Sequence, residues 1–258
     1  MRFDIDVSLA YRIIDTKVLL AVEAAQTAVQ TVLHSSLEID GAEITRLKAE
    51  DGIATWVWAH LPAGDMTLRY RAQVEISRSE PALEGLRADA PEDLPFGALT
   101  YMRPSRYCQS DMLEGFVARE FGGYEGGAKI AAIRDWVRAA LTYRRGASNS
   151  ATTALDTFDS REGVCRDYAH LVCALSRAAF IPARYAAVYG SEVTPPDFHA
   201  VAQVWLEGAW HFVDATGMCR ASNLALIAVG RDACEVAFME TESHAQMLRQ
   251  TVTVTQIG

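Results

Sequence analysis

Residues 163–190, with the sequence GVCRDYAHLVCALSRAAFIPARYAAVYG, predict a turn, a helix and then a strand. Apolar side chains of the first half recur at the spacing of one helix face, at Val164, Tyr168, Leu171, Val172 and Leu175. Pro182 ends this segment because proline cannot continue a helix. If the helix starts at about Val164, Cys165 lies in its first turn, where unpaired N–H groups and the helix dipole favour a thiolate. Cys165 is therefore a candidate nucleophile.

A catalytic role for Cys165 competes with a structural one. In the alternative interpretation, Cys165 is a small buried hydrophobic residue, like Cys173 on the same predicted helix. A thiol nucleophile also needs a base, and His170 is poorly placed for that role. Five residues along an α-helix correspond to a rotation of about 140°, so His170 points away from Cys165. The base must come from another element.

A predicted hairpin supplies a base together with an acid. Residues 199–216, HAVAQVWLEGAWHFVDAT, predict two strands that turn at Glu207-Gly208. If the loop has two residues, Val201 lies opposite Asp214, and His199 is the diagonal same-face neighbour of Asp214. The two side chains can then share a hydrogen bond.

The remaining histidine of this hairpin, His211, has odd parity relative to Asp214 and points to the opposite face. The spacing therefore predicts Cys165 as nucleophile, His199 as base and Asp214 as orienting acid. Taken singly, each residue fits a structural role better: His199 as a core or rim histidine, and Asp214 as a turn residue at the end of a strand.

The chain before this hairpin divides into two parts. Residues 1 to about 80 are rich in alternating apolar, β-branched and aromatic residues, which predicts an antiparallel β-domain. Residues 79–97, SEPALEGLRADAPEDLPFG, show no periodicity and predict a linker. Helical patterns at 111–121 and 126–143 predict two helices before the cysteine. We divide the chain into a β-sandwich-like domain at 1–82, a linker at 83–104 and a catalytic domain at 105–258.

Charge and composition restrict the possible partners. The chain has 258 residues, half of them hydrophobic, and a net charge of −9. A phosphate-backbone binder needs a basic face, and no dense cluster of Lys and Arg occurs, so nucleic acid is not an expected partner. The start, MRFDIDVS, alternates acidic and apolar residues where a signal peptide would need an apolar block, and charge interrupts every longer apolar run. We expect a cytoplasmic protein without a membrane partner.

The cysteines do not form a recognisable disulfide or metal pattern. They stand at irregular spacing and in odd number, at 108, 165, 173, 219 and 234. On the predicted helix, Cys165, Asp167 and His170 point to mismatched faces, which disfavours a metal enzyme. Neither a metal nor another cofactor is expected.

The cysteine, histidine and aspartate segments occur in the order of a known family. The stretch at 163–190, DFHAVAQVWLEGAWHFVDAT at 197–216 and IAVGRDACEV at 227–236 closely resemble the core of the bacterial transglutaminase-like superfamily. The resemblance implies an α+β fold in which a papain-like core of helices on an antiparallel sheet follows an N-terminal antiparallel β-domain. It places the family's nucleophile, base and acid on Cys165, His199 and Asp214.

The resemblance implies cysteine-dependent acyl transfer from an amide of a peptide or protein. Hydrolysis of the thioester gives a peptidase or amidase, which is the expectation here. Attack by an amine gives a transglutaminase, for which Glu192 and Asp197 are candidate amine-binding acids. A non-catalytic binding or assembly protein on the same fold is a third alternative.

Two positions depart from the family's usual pattern. Val201 replaces the tryptophan of His-Ala-Trp, which predicts less bulk at the pocket wall. Ala215 replaces the proline of Asp-Pro-Thr, which predicts a less rigid loop beyond Asp214.

Overall fold

Alternation of apolar and polar residues builds the first strands. In the computed structural model, which describes residues 1–14 and 16–258, Phe3, Ile5 and Val7 are buried whereas Arg2 and Asp4 are exposed. Such period-two burial is what a sheet with one face on the core requires. The N-terminal strands are β1 (Arg2–Ile13), β2 (Lys17–Leu20), β3 (Gln30–Ile39), β4 (Glu43–Lys48), β5 (Thr55–His60) and β6 (Gly64–Ile76).

Helices and further strands follow the N-terminal strands. The helices are α1 (Phe96–Leu99), α2 (Glu114–Phe121), α3 (Gly126–Ala140), α4 (Ala154–Ser160) and α5 (Cys165–Ala178). The strands are β7 (Thr142–Tyr143), β8 (Glu162–Gly163), β9 (Ala183–Gly190), β10 (His199–Leu206), β11 (Ala209–Val213), β12 (Leu224–Gly230), β13 (Met239–Glu240) and β14 (Gln246–Gln256). Within 1–14 and 16–258, no helix combines the length and apolar character needed to cross a membrane.

The helices α1 and α4 correct the prediction of only two helices before the cysteine. Helix α4 has seven residues, too short for apolar periodicity to reveal it. It begins at a capping box, in which Thr153 and Asp156 exchange hydrogen bonds between side chain and backbone N–H.

The strands pair mainly into antiparallel sheets. A first sheet has the order β14–β1–β6–β3, a second β13–β2–β5–β4 and a third β11–β10–β9–β12, while β7 and β8 form a parallel pair. The predicted α+β fold, with an antiparallel β-part followed by helices on an antiparallel sheet, is confirmed.

The last strand crosses the predicted division of the chain. Strand β14 pairs along its length with β1, and Val252 lies opposite Val7. Residues 246–256 fall in the range predicted as the catalytic domain at 105–258, yet they complete the first sheet. Strand β14 therefore belongs to the same sheet as the N-terminal strand β1.

Helix α5 packs on the third sheet through its apolar face. Leu171, Val172 and Leu175 of α5 are fully buried in one cluster with Ala202 and Val204 of β10. Burial of each large apolar side chain contributes about 1.5–3 kcal/mol to stability. This packing fixes the start of α5 relative to the start of β10.

The N-terminal strands also pack directly on the third sheet. The rings of Tyr70 and Tyr189 stack at 6.3 Å, and the Tyr189 hydroxyl donates to the Val22 carbonyl at 2.6 Å. The Gln30 side chain donates to the carbonyl of Leu226 and accepts from its N–H. Cys165 packs against the hydrophobic cluster that these parts share. The candidate site therefore lies where the N-terminal strands meet the third sheet.

Candidate active site

The sequence before Cys165 fixes the start of α5. The Asp167 carboxylate accepts the Val164 N–H at 2.8 Å, which satisfies one of the donors left free at a helix N-terminus. Gly163 is required beside it, because a Cβ there would lie 2.7 Å from the Cβ of Asp167. Helix α5 begins at Cys165 itself, which confirms the predicted position of the cysteine in the first turn.

The hairpin from β10 to β11 brings His199 and Asp214 together. Glu207 and Gly208 have positive φ angles of 49° and 75°, as a two-residue type I′ turn requires. The pairs Leu206–Ala209 and Ala202–Val213 confirm the predicted register. His199 Nε2 lies 2.9 Å from Asp214 Oδ2.

The Asp214 carboxylate is surrounded by hydrogen-bond donors. Oδ1 accepts the Thr216 N–H at 2.8 Å and the Thr216 hydroxyl at 2.6 Å, and Oδ2 accepts the Cys219 N–H at 3.1 Å. Burial alone would raise the pKa of Asp214, but the hydrogen bonds from His199 and Thr216 outweigh it and lower that pKa. Asp214 is therefore ionised at neutral pH.

The same donors correct the expectation of a less rigid loop at Ala215. The Thr216 and Cys219 bonds tie the loop to Asp214, and the Gly217 N–H donates to the Asp214 carbonyl at 3.3 Å. Gly217, with a φ of 68°, also lies against the Arg138 guanidinium. These contacts hold the loop without a proline at position 215.

The His199 ring is buried between Asp214 and Cys165. Its side chain is 1% exposed, and burial by itself disfavours the charged ring. Hydrogen bonding to Asp214 and to Cys165 overcomes this effect and raises the pKa of His199 to about 9. Because Nε2 faces Asp214, Nδ1 is the ring nitrogen left to face the thiol. Cys165 itself is partly exposed, so a substrate can reach it.

The structure thus brings Cys165, His199 and Asp214 into one chain of interactions and leaves the other two discussed histidines outside it. His170 is sandwiched between the rings of Tyr107 and Tyr185, each at 5.1 Å, and burial lowers its pKa to about 3. Its Nε2 accepts the Ala233 N–H at 3.1 Å. His211 bonds the Leu206 carbonyl instead.

Val201 does not line the site, contrary to the expectation from its replacement of tryptophan. The side chain is 1% exposed and packs in a buried cluster with Ala25, Ala186 and Phe212. Alternation directs Val201 to the same strand face as His199, but this part of the face is covered. The exchange therefore places a smaller side chain in this buried cluster.

Two polar contacts of the site were not anticipated from the sequence. Thr216 bonds Asp214, and a hydroxyl residue two positions after an aspartate is a recognisable turn signal. The Tyr143 hydroxyl lies near Cys165, because β7 pairs with β8 just before the cysteine. No local pattern connects residues so distant along the chain.

We expect the Thr216→Val variant to lose about tenfold in kcat. The variant removes a hydrogen bond to a charged group, worth about 1.5–3 kcal/mol, from the acid that holds His199. The measurement is kcat as a function of pH, with Thr216→Ser as the control that keeps the hydroxyl. Equal kcat values for the Val variant and the unmodified protein would show that Thr216 does not position Asp214.

The site lies within a recognised family region. The protein-family model described as "Transglutaminase-like superfamily" matches residues 116–215 of the sequence, which include Cys165, His199 and Asp214. The crystal structure of a "Putative Cysteine Protease" from Cytophaga hutchinsonii is 34% identical in sequence, with a TM-score of 0.91. That similarity covers 99% of this chain and 90% of the other. The chain belongs to the transglutaminase-like superfamily.

Two curated relatives of this transglutaminase-like chain are uncharacterized proteins. One, from Mycobacterium leprae, is 33% identical over 119 residues, which are 43% of this chain and 42% of that protein. Another, from Mycobacterium tuberculosis, is 27% identical over 202 residues, 68% of this chain and 63% of that protein. The chain therefore spans less than two thirds of each of these relatives.

Proposed function

We propose that this protein is a cysteine-dependent hydrolase of peptide or amide bonds, with Cys165 as nucleophile, His199 as acid–base group and Asp214 as orienting acid. One observation carries the proposal: a partly exposed cysteine at a helix N-terminus contacts a buried histidine that is hydrogen-bonded to an ionised aspartate. This is the arrangement that activates a thiol for attack on a carbonyl.

Acylation begins from the thiolate of Cys165 and the imidazolium of His199. The raised pKa of His199 keeps the ring protonated at neutral pH, and the reaction uses the sulfur in its anionic form. The sulfur attacks the amide carbonyl carbon, and the negative charge moves to the oxygen. When the C–N bond breaks, His199 gives its proton to the departing amine, which leaves a thioester on Cys165.

Deacylation reverses these roles. The neutral imidazole takes a proton from water, and the resulting hydroxide adds to the thioester carbonyl. Collapse of this second tetrahedral intermediate breaks the C–S bond, releases the carboxylic acid and restores the thiolate beside imidazolium His199. Asp214 keeps the ring in one tautomer and orientation through both steps.

The surroundings of the loop acids favour water over an amine as the second substrate. The Glu192 carboxylate is bound by Arg220, whose backbone N–H and guanidinium donate hydrogen bonds to it at 3.0 and 3.1 Å. Asp197 accepts the Phe198 N–H at 2.8 Å and the Gln250 amide at 2.6 Å. An amine site needs a carboxylate free to bind the incoming ammonium, and both candidates already have internal partners.

We expect hydrolysis to exceed amine incorporation when both are possible. The experiment is intact-mass analysis of products after incubation with a peptide library and an excess of a small primary amine. Cleaved or deamidated products should dominate, with amine adducts as a minor fraction at high amine concentration.

The Cys165→Ala variant must silence whichever activity is found. Incorporation of dansylcadaverine into a glutamine-bearing protein faster than hydrolysis would instead assign the protein as an amine transferase. Absence of any product that depends on Cys165 would favour the non-catalytic alternative.

A further inference from the structure

Tyr143 is held beside the start of α5 by backbone pairing. Strand β7 runs parallel to β8, with Tyr143 opposite Gly163. The Thr142 N–H donates to the Arg161 carbonyl at 2.8 Å, and the Arg144 N–H donates to the Gly163 carbonyl at 2.9 Å. These two bonds flank Tyr143 and fix it next to the segment that leads into Cys165.

The Tyr143 ring is supported from α5 as well. It lies against the ring of Tyr168, with centroids 5.9 Å apart, and the Tyr168 hydroxyl donates to the Leu141 carbonyl at 3.0 Å. Tyr168 follows Cys165 by three residues and so lies on the same side of the helix. The aromatic pair therefore places the Tyr143 hydroxyl at the reactive end of α5.

The Tyr143 hydroxyl lies close enough to Cys165 for both the backbone N–H and the sulfur of that residue to affect the Tyr143 pKa. Cys165 is the first residue of α5, so its N–H has no partner within the helix. A carbonyl attacked by the sulfur places its oxygen within reach of this same N–H. The hydroxyl thus borders the volume that the developing oxyanion must occupy.

We propose that Tyr143 is a catalytic residue that donates its phenolic hydrogen to the oxyanion, together with the N–H of Cys165. This inference rests on the proposed acyl transfer and names the second donor of its oxyanion hole. The substrate oxygen takes the place of the hydroxyl at the Cys165 N–H. The O–H then rotates about its bond to the ring and points at that oxygen.

The chemistry of the phenol suits this role. Burial of the ring and the neighbouring Cys165 sulfur raise the pKa of Tyr143 to about 12, so the hydroxyl remains a donor at neutral pH. The residue is nevertheless 37% exposed, which leaves space for a substrate beside it. A neutral donor also leaves the acid–base role to His199.

The test compares Tyr143→Phe with the unmodified protein on a substrate whose hydrolysis depends on Cys165. Loss of one oxyanion donor should lower kcat by about 100- to 1,000-fold, with KM little changed. Alkylation of Cys165 by iodoacetamide should stay within about twofold, because displacement at a saturated carbon forms no oxyanion. Tyr124→Phe, which alters an exposed tyrosine on the connection between α2 and α3, should leave kcat unchanged.

Other outcomes overturn the assignment. An unchanged kcat would show that Tyr143 does not act on the oxyanion, and an increased kcat would show that its hydroxyl blocks the site. If Tyr143→Phe does not fold, replacing Tyr143 by 4-fluorophenylalanine fills the same volume without a donor, and the same loss is expected. If the unmodified protein shows no turnover that depends on Cys165, the proposed function fails first and the inference fails with it.

Discussion

Cys165→Ala eliminates turnover, with a loss of at least about a thousandfold in kcat, because the variant has no atom that can form the thioester. The fold should survive, since the cysteine is partly exposed and contributes little to the core. The measurement is hydrolysis under substrate saturation, alongside thermal unfolding of both proteins. Cys234→Ala, at an exposed cysteine whose N–H donates to Asp232, is the matched control and should retain full activity.

The same prediction extends to chemical labelling of the thiols. Cys165 should react with iodoacetamide near neutral pH much faster than the other four cysteines. Cys108, Cys173 and Cys219 are buried, and burial raises the pKa of Cys173 and of Cys219 to about 12. Cys234 is exposed but has no histidine partner among the described contacts. Labelling of Cys234 at the same rate as Cys165 would contradict the claim that Cys165 is more reactive than the other cysteines.

His199→Ala should abolish turnover to a similar extent and slow the alkylation of Cys165. The variant removes both the proton donor for the leaving amine and the cation that stabilises the thiolate. His211→Ala should retain activity, because that ring bonds the Leu206 carbonyl and does not reach Asp214. A His211→Ala protein that has no catalytic activity but an unchanged circular dichroism spectrum would contradict the assignment of His199 as the base.

The pH dependence of the unmodified protein gives a second readout of His199. Its pKa is raised to about 9, so the imidazolium is present below this value and is lost as the pH rises through it. Because the imidazolium of the free enzyme donates the proton to the amine during acylation, kcat/KM should fall as the pH rises through about 9. A fall centred near the ordinary histidine pKa of about 6.5 would show that Asp214 and Cys165 do not hold the proton on the ring.

Local sequence rules were sufficient for the elements that carry the site. Gly163 and Asp167 act within one helical turn of Cys165 and specify where α5 begins. The two-residue turn at Glu207-Gly208 specifies the register of the hairpin, which places His199 beside Asp214. These features are predictable because the determining residues are close along the chain.

Predictions about the environment of individual site residues were less successful. Val201 was expected at a pocket wall, but residues distant in sequence, including Ala25 from the N-terminal part, cover it. The loop after Asp214 was expected to be less constrained, but Thr216, Cys219 and the close contact with Arg138 hold it. The strand alternation at Val201 and the turn after Asp214 were predicted correctly. The surroundings of both were set by contacts with other elements, which the local pattern does not show.

The sequence by itself determined that a cysteine begins a helix and that a histidine and an aspartate meet across a hairpin, because turn chemistry and residue periodicity act over a few positions. Only the tertiary structure decided that β14 completes the first sheet and that the two loop acids have internal partners. It also decided that the Tyr143 hydroxyl lies near Cys165. These outcomes depend on pairing and packing between segments far apart in the chain, for which local propensity carries no information.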